Sequence, residues 1–215
     1  MARTALIAGS TGLIGSSLLP LLLDSPAYDH VIAVTRRPLA LSHPKLANPT
    51  SDFEHLGALR EQLAADDVFC CLGTTTAKAG GQAGLERVDY HMVVDLARSA
   101  RAAGAQQFLV VSAVGAALRS PAFYSRVKAR MERSVMEAGY ATVHILQPSL
   151  LLGAREESRL GEEIAQRLSP LLAPLCVGPL LKYRPVRAEV VAAAMLALAL
   201  RPASGVHVHQ YPFEA

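Results

Sequence analysis

The chain has 215 residues, 51% of them hydrophobic, 18% charged and 5% aromatic, with a formal net charge of +3 at neutral pH. That length builds one well-buried core and is short for two, so a single domain is expected. The positive charge is scattered among acids rather than gathered in a basic stripe, and there is no tryptophan to stack on bases, which argues against a nucleic-acid partner.

The first element in chain order is an apolar strand over Ala5 to Ala8, running straight into Ile7-Ala8-Gly9-Ser10-Thr11-Gly12-Leu13-Ile14-Gly15 and a helix expected over Gly12 to Leu23. Glycines at this spacing after a strand point to a dinucleotide pyrophosphate site. Gly9 suits the sharp turn, Gly12 lets the backbone approach the ligand, Gly15 lets the helix pack closely, and the helix start offers free amides to phosphate oxygens. Arg3 followed by apolar residues resembles the start of a signal peptide, but the glycines interrupt the run at once, and the segment is expected to be structure.

A second strand over His30 to Val34 ends in Thr35-Arg36-Arg37-Pro38 with no acidic residue. A carboxylate there would accept hydrogen bonds from the ribose hydroxyls of NAD, whereas a guanidinium grips a 2′-phosphate through paired charge-assisted bonds. Arg36, with Arg37 beside it, therefore favours NADP(H). A Pro-rich loop over Pro38 to Pro49, a short strand near Phe53, a helix over Leu56 to Ala64, a strand over Val68 to Leu72 and a long helix over Gln82 to Ala103 closed by Gly104 follow.

The strand Phe108 to Ser112 ends in a hydroxyl, and strand ends of open parallel sheets are where ligands sit, so Ser112 is expected to hold a substrate oxygen. The next helix carries Tyr124-Ser125-Arg126-Val127-Lys128, with Ser120 expected as its N-cap, Pro121 at its first position and Gly139 after its end. Residues four apart share one helical face, so Lys128 sits near the Tyr124 hydroxyl. A neighbouring cation favours a phenolate, which poises a tyrosine for proton transfer to a carbonyl oxygen.

Strand Ala141 to Leu146, a small lobe over 149–187 with a helix at Glu156 to Leu168 and the Pro-punctuated run Pro170 to Leu181, a helix over Ala188 to Leu200 and a strand over Val206 to Gln210 complete the chain. The alternation of strands and helices predicts an α/β fold with a doubly wound, mostly parallel sheet. The lobe is where a substrate side would form, and its Leu-rich run suits either an apolar pocket or a subunit contact in a homo-oligomer. Arg155, Arg159, Arg184 and Arg187 read as solvated surface arginines. His207 and His209 alternate on one strand face without a third ligand partner, so no metal site is expected.

Cys70, Cys71 and Cys176 form an odd set without Cys-x-x-Cys spacing, expected as core thiols in a reducing cytoplasm. The apolar runs Val190 to Leu200 and Leu18 to Leu23 are too short to span a bilayer, so no membrane partner is expected.

Together with the glycine loop, Cys71-Leu72-Gly73-Thr74-Thr75, Lys78-Ala79-Gly80, Val88-Asp89, the Tyr124 to Lys128 block and Glu156-Glu157-Ser158-Arg159 make the chain resemble the short-chain dehydrogenase/reductase superfamily. Within it, the atypical NAD(P)-binding branch, and there the Tat-interacting-protein type of oxidoreductase, is the most similar. The resemblance implies a Rossmann core holding NADP(H) through Gly9, Ser10, Thr11, Gly12, Leu13, Ile14, Gly15, Arg36, Arg37, Leu72, Gly73, Thr74, Tyr124, Lys128 and Pro148. It places Ser112, Tyr124 and Lys128 at the superfamily's catalytic Ser, Tyr and Lys positions. The chain departs from many extended members at Asp89, where they carry asparagine, and at Gln147, where they carry arginine before the proline. Reduction of a small-molecule carbonyl is the activity implied. Alternatives are an NADPH-sensing regulatory protein with a protein partner, and an epimerase or isomerase of the nucleotide-sugar type.

Overall fold

The computed structural model describes residues 3–53, 56–152 and 178–213. Strand β1 (Thr4–Ala8) is buried on both faces, with Ala5 and Ile7 in one core layer and Leu6 and Ala8 in the other. A strand covered on both sides reads as a continuous apolar run rather than an alternating one. The same holds for β2 (His30–Val34), β4 (Asp67–Cys70), β5 (Gln107–Val111) and β6 (Thr142–Gln147), which lie parallel to it. With β3 (Leu46–Ala47) and β9 (Gly205–Gln210) at the edges, the sheet order is β3-β2-β1-β4-β5-β6-β9. Two short strands, β7 (Leu151–Leu152) and β8 (Val186–Arg187), pair separately.

Helix α1 (Gly15–Asp24) and helix α5 (Ala188–Ala199) cover one face of the sheet through Leu18, Leu22, Val191 and Met195. Pro20 stands inside α1 but on its exposed side, so the bond it cannot donate falls where water can replace it. The opposite face is covered by Val93, Leu96, Met131 and Val135 from α3 (Val93–Ala102) and α4 (Phe123–Met136). Each such side chain, fully buried, contributes about 1.5–3 kcal/mol relative to exposure. The chain leaves β1 for β2 on one side and reaches β4 on the other, so strand order reverses beside β1. The register pairs Ala8 with Val34 and with Cys70, bringing three strand ends together at that switch point.

Several elements differ from the sequence reading. Helix α1 begins at Gly15 rather than Gly12, because residues 10–14 form turns closed by Gly12 N–H donating to the Gly9 carbonyl at 3.0 Å. Phe53 is not a strand residue: it is buried in a left-handed conformation (φ 68°), and β3 lies earlier instead. The Leu56 region is a 3₁₀ helix over Leu56–Leu63. Helix α4 begins at Phe123 with Ala122 as its cap, while the Ser120 hydroxyl accepts from Ala122 N–H at 3.2 Å and braces the approach. The long helix closed by Gly104 is α2 (Gln82–Glu86), a π-helical turn over Arg87–Met92 and α3 in succession. The Glu156 to Leu168 helix, most of the Pro170 to Leu181 run, Arg155, Arg159 and Cys176 lie outside the described residues; from Gly178 to Tyr183 the chain forms a 3₁₀ turn.

At the amino-terminal end of the sheet, Tyr28 donates to Asp67 at 2.6 Å and Arg3 pairs with the same carboxylate at 2.5 Å. Burial raises both the Tyr28 hydroxyl and the Asp67 carboxyl above their ordinary ranges. This closed cluster seals the end opposite the switch point. Among the described residues, no helix is long and apolar enough to cross a membrane and no group of three or more ligating side chains could hold a metal ion.

Candidate functional site

The glycines of the first junction are required by contact as well as by conformation. Gly9 has φ +84°, and a Cβ there would lie 2.6 Å from the Cys71 backbone carbonyl. A Cβ on Gly15 would lie 2.1 Å from the Gly9 carbonyl oxygen, so the helix packs against the loop itself. A Cβ on Gly12, which is exposed, would lie 3.3 Å from the Gly9 oxygen. Beside them the Ser10 hydroxyl is buried with no hydrogen-bond partner among the described residues. A buried, unpaired hydroxyl in a glycine-lined cradle at the start of a helix fits a dinucleotide pyrophosphate, whose oxygens would satisfy it.

The other expected nucleotide contacts follow the carboxyl ends of strands of the same sheet. Leu72, Gly73 and Thr74 follow β4, whose continuation donates Cys71 N–H to the Ala8 carbonyl at 2.8 Å. Arg36 and Arg37 follow β2 and are exposed, and their turn is braced by Asn48, which donates to the Ala33 carbonyl at 2.5 Å and to the Thr35 hydroxyl at 2.8 Å. Pro148 is buried beyond β6, its carbonyl accepting from Val114 N–H at 2.9 Å. Cys70 is buried and its thiol is pushed up to about 12 by desolvation, and Cys71 is raised for the same first reason, so neither is set up as a nucleophile.

Lys128 is only 2% exposed and forms an ion pair with Asp89 at 2.8 Å. Its ammonium also donates to the Val111 carbonyl at 3.3 Å and lies 5.9 Å from the centre of the Tyr124 ring. Burial disfavours the charged lysine, but Tyr124 and Asp89 outweigh that cost and raise its pKa above the ordinary value. Asp89 stands in the π-helical turn, a local widening that is frequent at functional sites, and accepts from Thr74 N–H at 2.9 Å. One carboxylate thus ties the α4 lysine to the loop after β4. Tyr124 itself is 39% exposed, with no hydrogen bond to its hydroxyl among the described residues.

Ser112 lies just past β5, as expected, but its hydroxyl turns inward to Glu132 on α4. Glu132 also accepts from the Gln147 amide at 2.8 Å, and Gln147 accepts from the Gln210 amide at 2.8 Å. The departure at Gln147 is therefore part of a buried polar chain running from Ser112 to the edge strand β9. Glu132 and the Lys128 partnership of Asp89 escaped the sequence reading. The one available signal was helical spacing, since Tyr124, Lys128 and Glu132 recur every four residues on one face of α4.

A strand-to-helix cradle at the switch point of a parallel sheet is the mark of a Rossmann-type dinucleotide-binding protein. The family model described as NAD(P)H-binding matches residues 9–151, and the chain belongs to that family. The protein named FMP52, mitochondrial, of Coccidioides immitis is 36% identical over 177 residues, covering 75% of this chain and 71% of the relative. Its Candida albicans counterpart is 33% identical over 173 residues, covering 75% and 73%. Among solved structures, MoeE5 in complex with UDP-glucuronic acid and NAD has a TM-score of 0.74 at 20% identity, over 96% of this chain and 75% of that one. WbmH of Bordetella bronchiseptica in complex with NAD+ has 0.71 at 16% identity, over 98% and 76%. At such identities the likeness shows the shared fold. The expected cytoplasmic location is overturned, because these relatives are named as mitochondrial proteins.

Proposed function

We propose that the protein is an NADPH-dependent reductase that delivers hydride to a carbonyl of a small molecule, with Tyr124 as proton donor. The observation that supports this most directly is the buried Lys128–Asp89 pair beside Tyr124, at the carboxyl end of the sheet that carries the glycine cradle. A bound nicotinamide supplies the hydride. Lys128 stays cationic at neutral pH, held by Asp89, and steadies the negative charge that develops on the Tyr124 oxygen as its proton leaves. Tyr124 is exposed, which lets its hydroxyl meet a substrate oxygen. Gly9 and Gly15 let the turn and the helix close tightly, the bare, exposed Gly12 leaves room for the pyrophosphate, and Ser10 and the amides of residues 11 and 13–15 bind it.

The preference for NADPH over NADH rests on Arg36 and Arg37, exposed just past β2 in the segment Thr35-Arg36-Arg37-Pro38, which itself contains no acidic residue. Titration of both nucleotides against the protein and its Arg36→Asp variant tests this: reversal of preference is expected, and indifference removes the assignment. Tyr124→Phe tests the chemistry. With a panel of carbonyl compounds its turnover is expected to collapse while NADPH affinity stays nearly unchanged. Tight NADPH binding by the parent protein with no carbonyl reduced would replace the reductase by a nucleotide sensor.

A further inference from the structure

Glu132 is a buried acid whose partners among the described residues, Ser112 and Gln147, are both neutral. Burying a carboxylate on neutral donors alone costs stability that an apolar side chain of similar size would not. It lies one turn past Lys128 and two past Tyr124 on the same face of α4. That face runs inward from the exposed phenol to the buried Lys128 and the buried Glu132.

The donors can be assigned. The Glu132 oxygen Oε1 receives an N–H of the Gln147 amide, and the Gln147 oxygen in turn receives an N–H of Gln210, so that end of Glu132 acts as an acceptor. The Ser112 hydroxyl donates to the same oxygen. A serine has one proton, so Ser112 has only lone pairs left for any other neighbour.

We infer that Glu132 is a positioning residue of the site, which takes the Ser112 proton in a hydrogen bond and so makes Ser112 an acceptor toward the reacting group. The inference rests on the reductase reading and sharpens it. Ser112 then does not polarise a substrate carbonyl by donation; its lone pair accepts from the O–H of the alcohol as it forms and orients it. Tyr124 is left as the side chain that gives the carbonyl oxygen its proton.

The test uses the full chain with NADPH and phenanthrenequinone as the carbonyl probe, comparing the parent with Glu132→Gln, Glu132→Met, Ser112→Ala and the Ser112→Ala/Glu132→Met double variant. Melting temperature and NADPH affinity are measured alongside kcat. Glu132→Met is expected to lower kcat by about tenfold or more with NADPH affinity within about twofold, and Glu132→Gln, which keeps an acceptor oxygen, to restore most of it. The double variant is expected to be no slower than the slower single one, because both changes act through one hydroxyl. Parent-like kcat in Glu132→Met, or losses that multiply in the double variant, overturns the inference and leaves the reductase standing. If Glu132→Met does not fold, Glu132→Asp, whose shorter reach withdraws the oxygen from Ser112, is expected to lose kcat likewise, and full activity there overturns it. A parent protein that binds NADPH and reduces neither this probe nor any other compound of the carbonyl panel refutes the reductase reading, and this inference with it.

Discussion

Replacing Asp89 by asparagine removes one charge from the buried pair and little else. The amide that results still offers an oxygen to Thr74 N–H, which the carboxylate now accepts at 2.9 Å, and Lys128 keeps the Val111 carbonyl at 3.3 Å. What disappears is an attraction across 2.8 Å between side chains 3% and 1% exposed. At an effective dielectric of about 20 that attraction is about 6 kcal/mol, set against a desolvation cost of several kcal/mol per ion. Breaking such a pair from one side leaves a buried ammonium without compensation, and the expected loss is about 3–5 kcal/mol. Because a domain's whole stability is about 5–15 kcal/mol, the effect is large.

Urea unfolding followed by far-ultraviolet circular dichroism at neutral pH measures it. The folded-state pKa of Lys128 is raised, so the stabilisation is fully present below the unfolded lysine value of about 10.5 and fades as pH climbs through the higher folded value. The gap between parent and Asp89→Asn is therefore expected to be constant around pH 7 and to narrow in strong alkali. Adding Lys128→Met to the Asp89→Asn variant removes the stranded charge and is expected to regain part of the loss. A loss below about 1 kcal/mol for Asp89→Asn would refute the reasoning, since it would mean that Lys128 reaches water or another anion.

Gly15→Ala places a methyl 2.1 Å from a main-chain oxygen that cannot swing away, and it is expected to cost about 1–3 kcal/mol or more and to weaken NADPH binding by thermal shift and titration. Gly57→Ala, with nothing within 4 Å of its Cβ position, is the control expected to leave both unchanged. His144 is buried against His209, with its Nδ1 3.0 Å from the His209 Nε2, and stacks on His207 with ring centres 5.2 Å apart. Burial first, then these two rings, lower its pKa to about 4. The unfolded histidine binds its proton near pH 6.5, so stability is expected to fall as pH drops from there toward 4, by no more than about 3 kcal/mol; His144→Phe should flatten that slope in unfolding experiments at pH 7 and pH 5.

The glycine junction, the paired arginines after β2, the Tyr124–Lys128 spacing and the alternation of strands with helices were legible because each is local. Turn geometry, helix period and strand burial act over a few residues, and a side chain's neighbours at that range follow from its position in the chain. Short helix starts were misread by two or three residues where a loop carbonyl or a serine bond, rather than propensity, decided the first turn. Asp89 was visible as a departure but not as a partner of Lys128, 39 positions on. Glu132 looked like any helical acid until Ser112, Gln147 and Gln210 closed around it from three strand ends. Which polar groups meet inside a protein depends on the order in which strands assemble and on the faces that helices turn inward. Those are set by burial of the whole apolar surface at once, and only the tertiary structure holds that information.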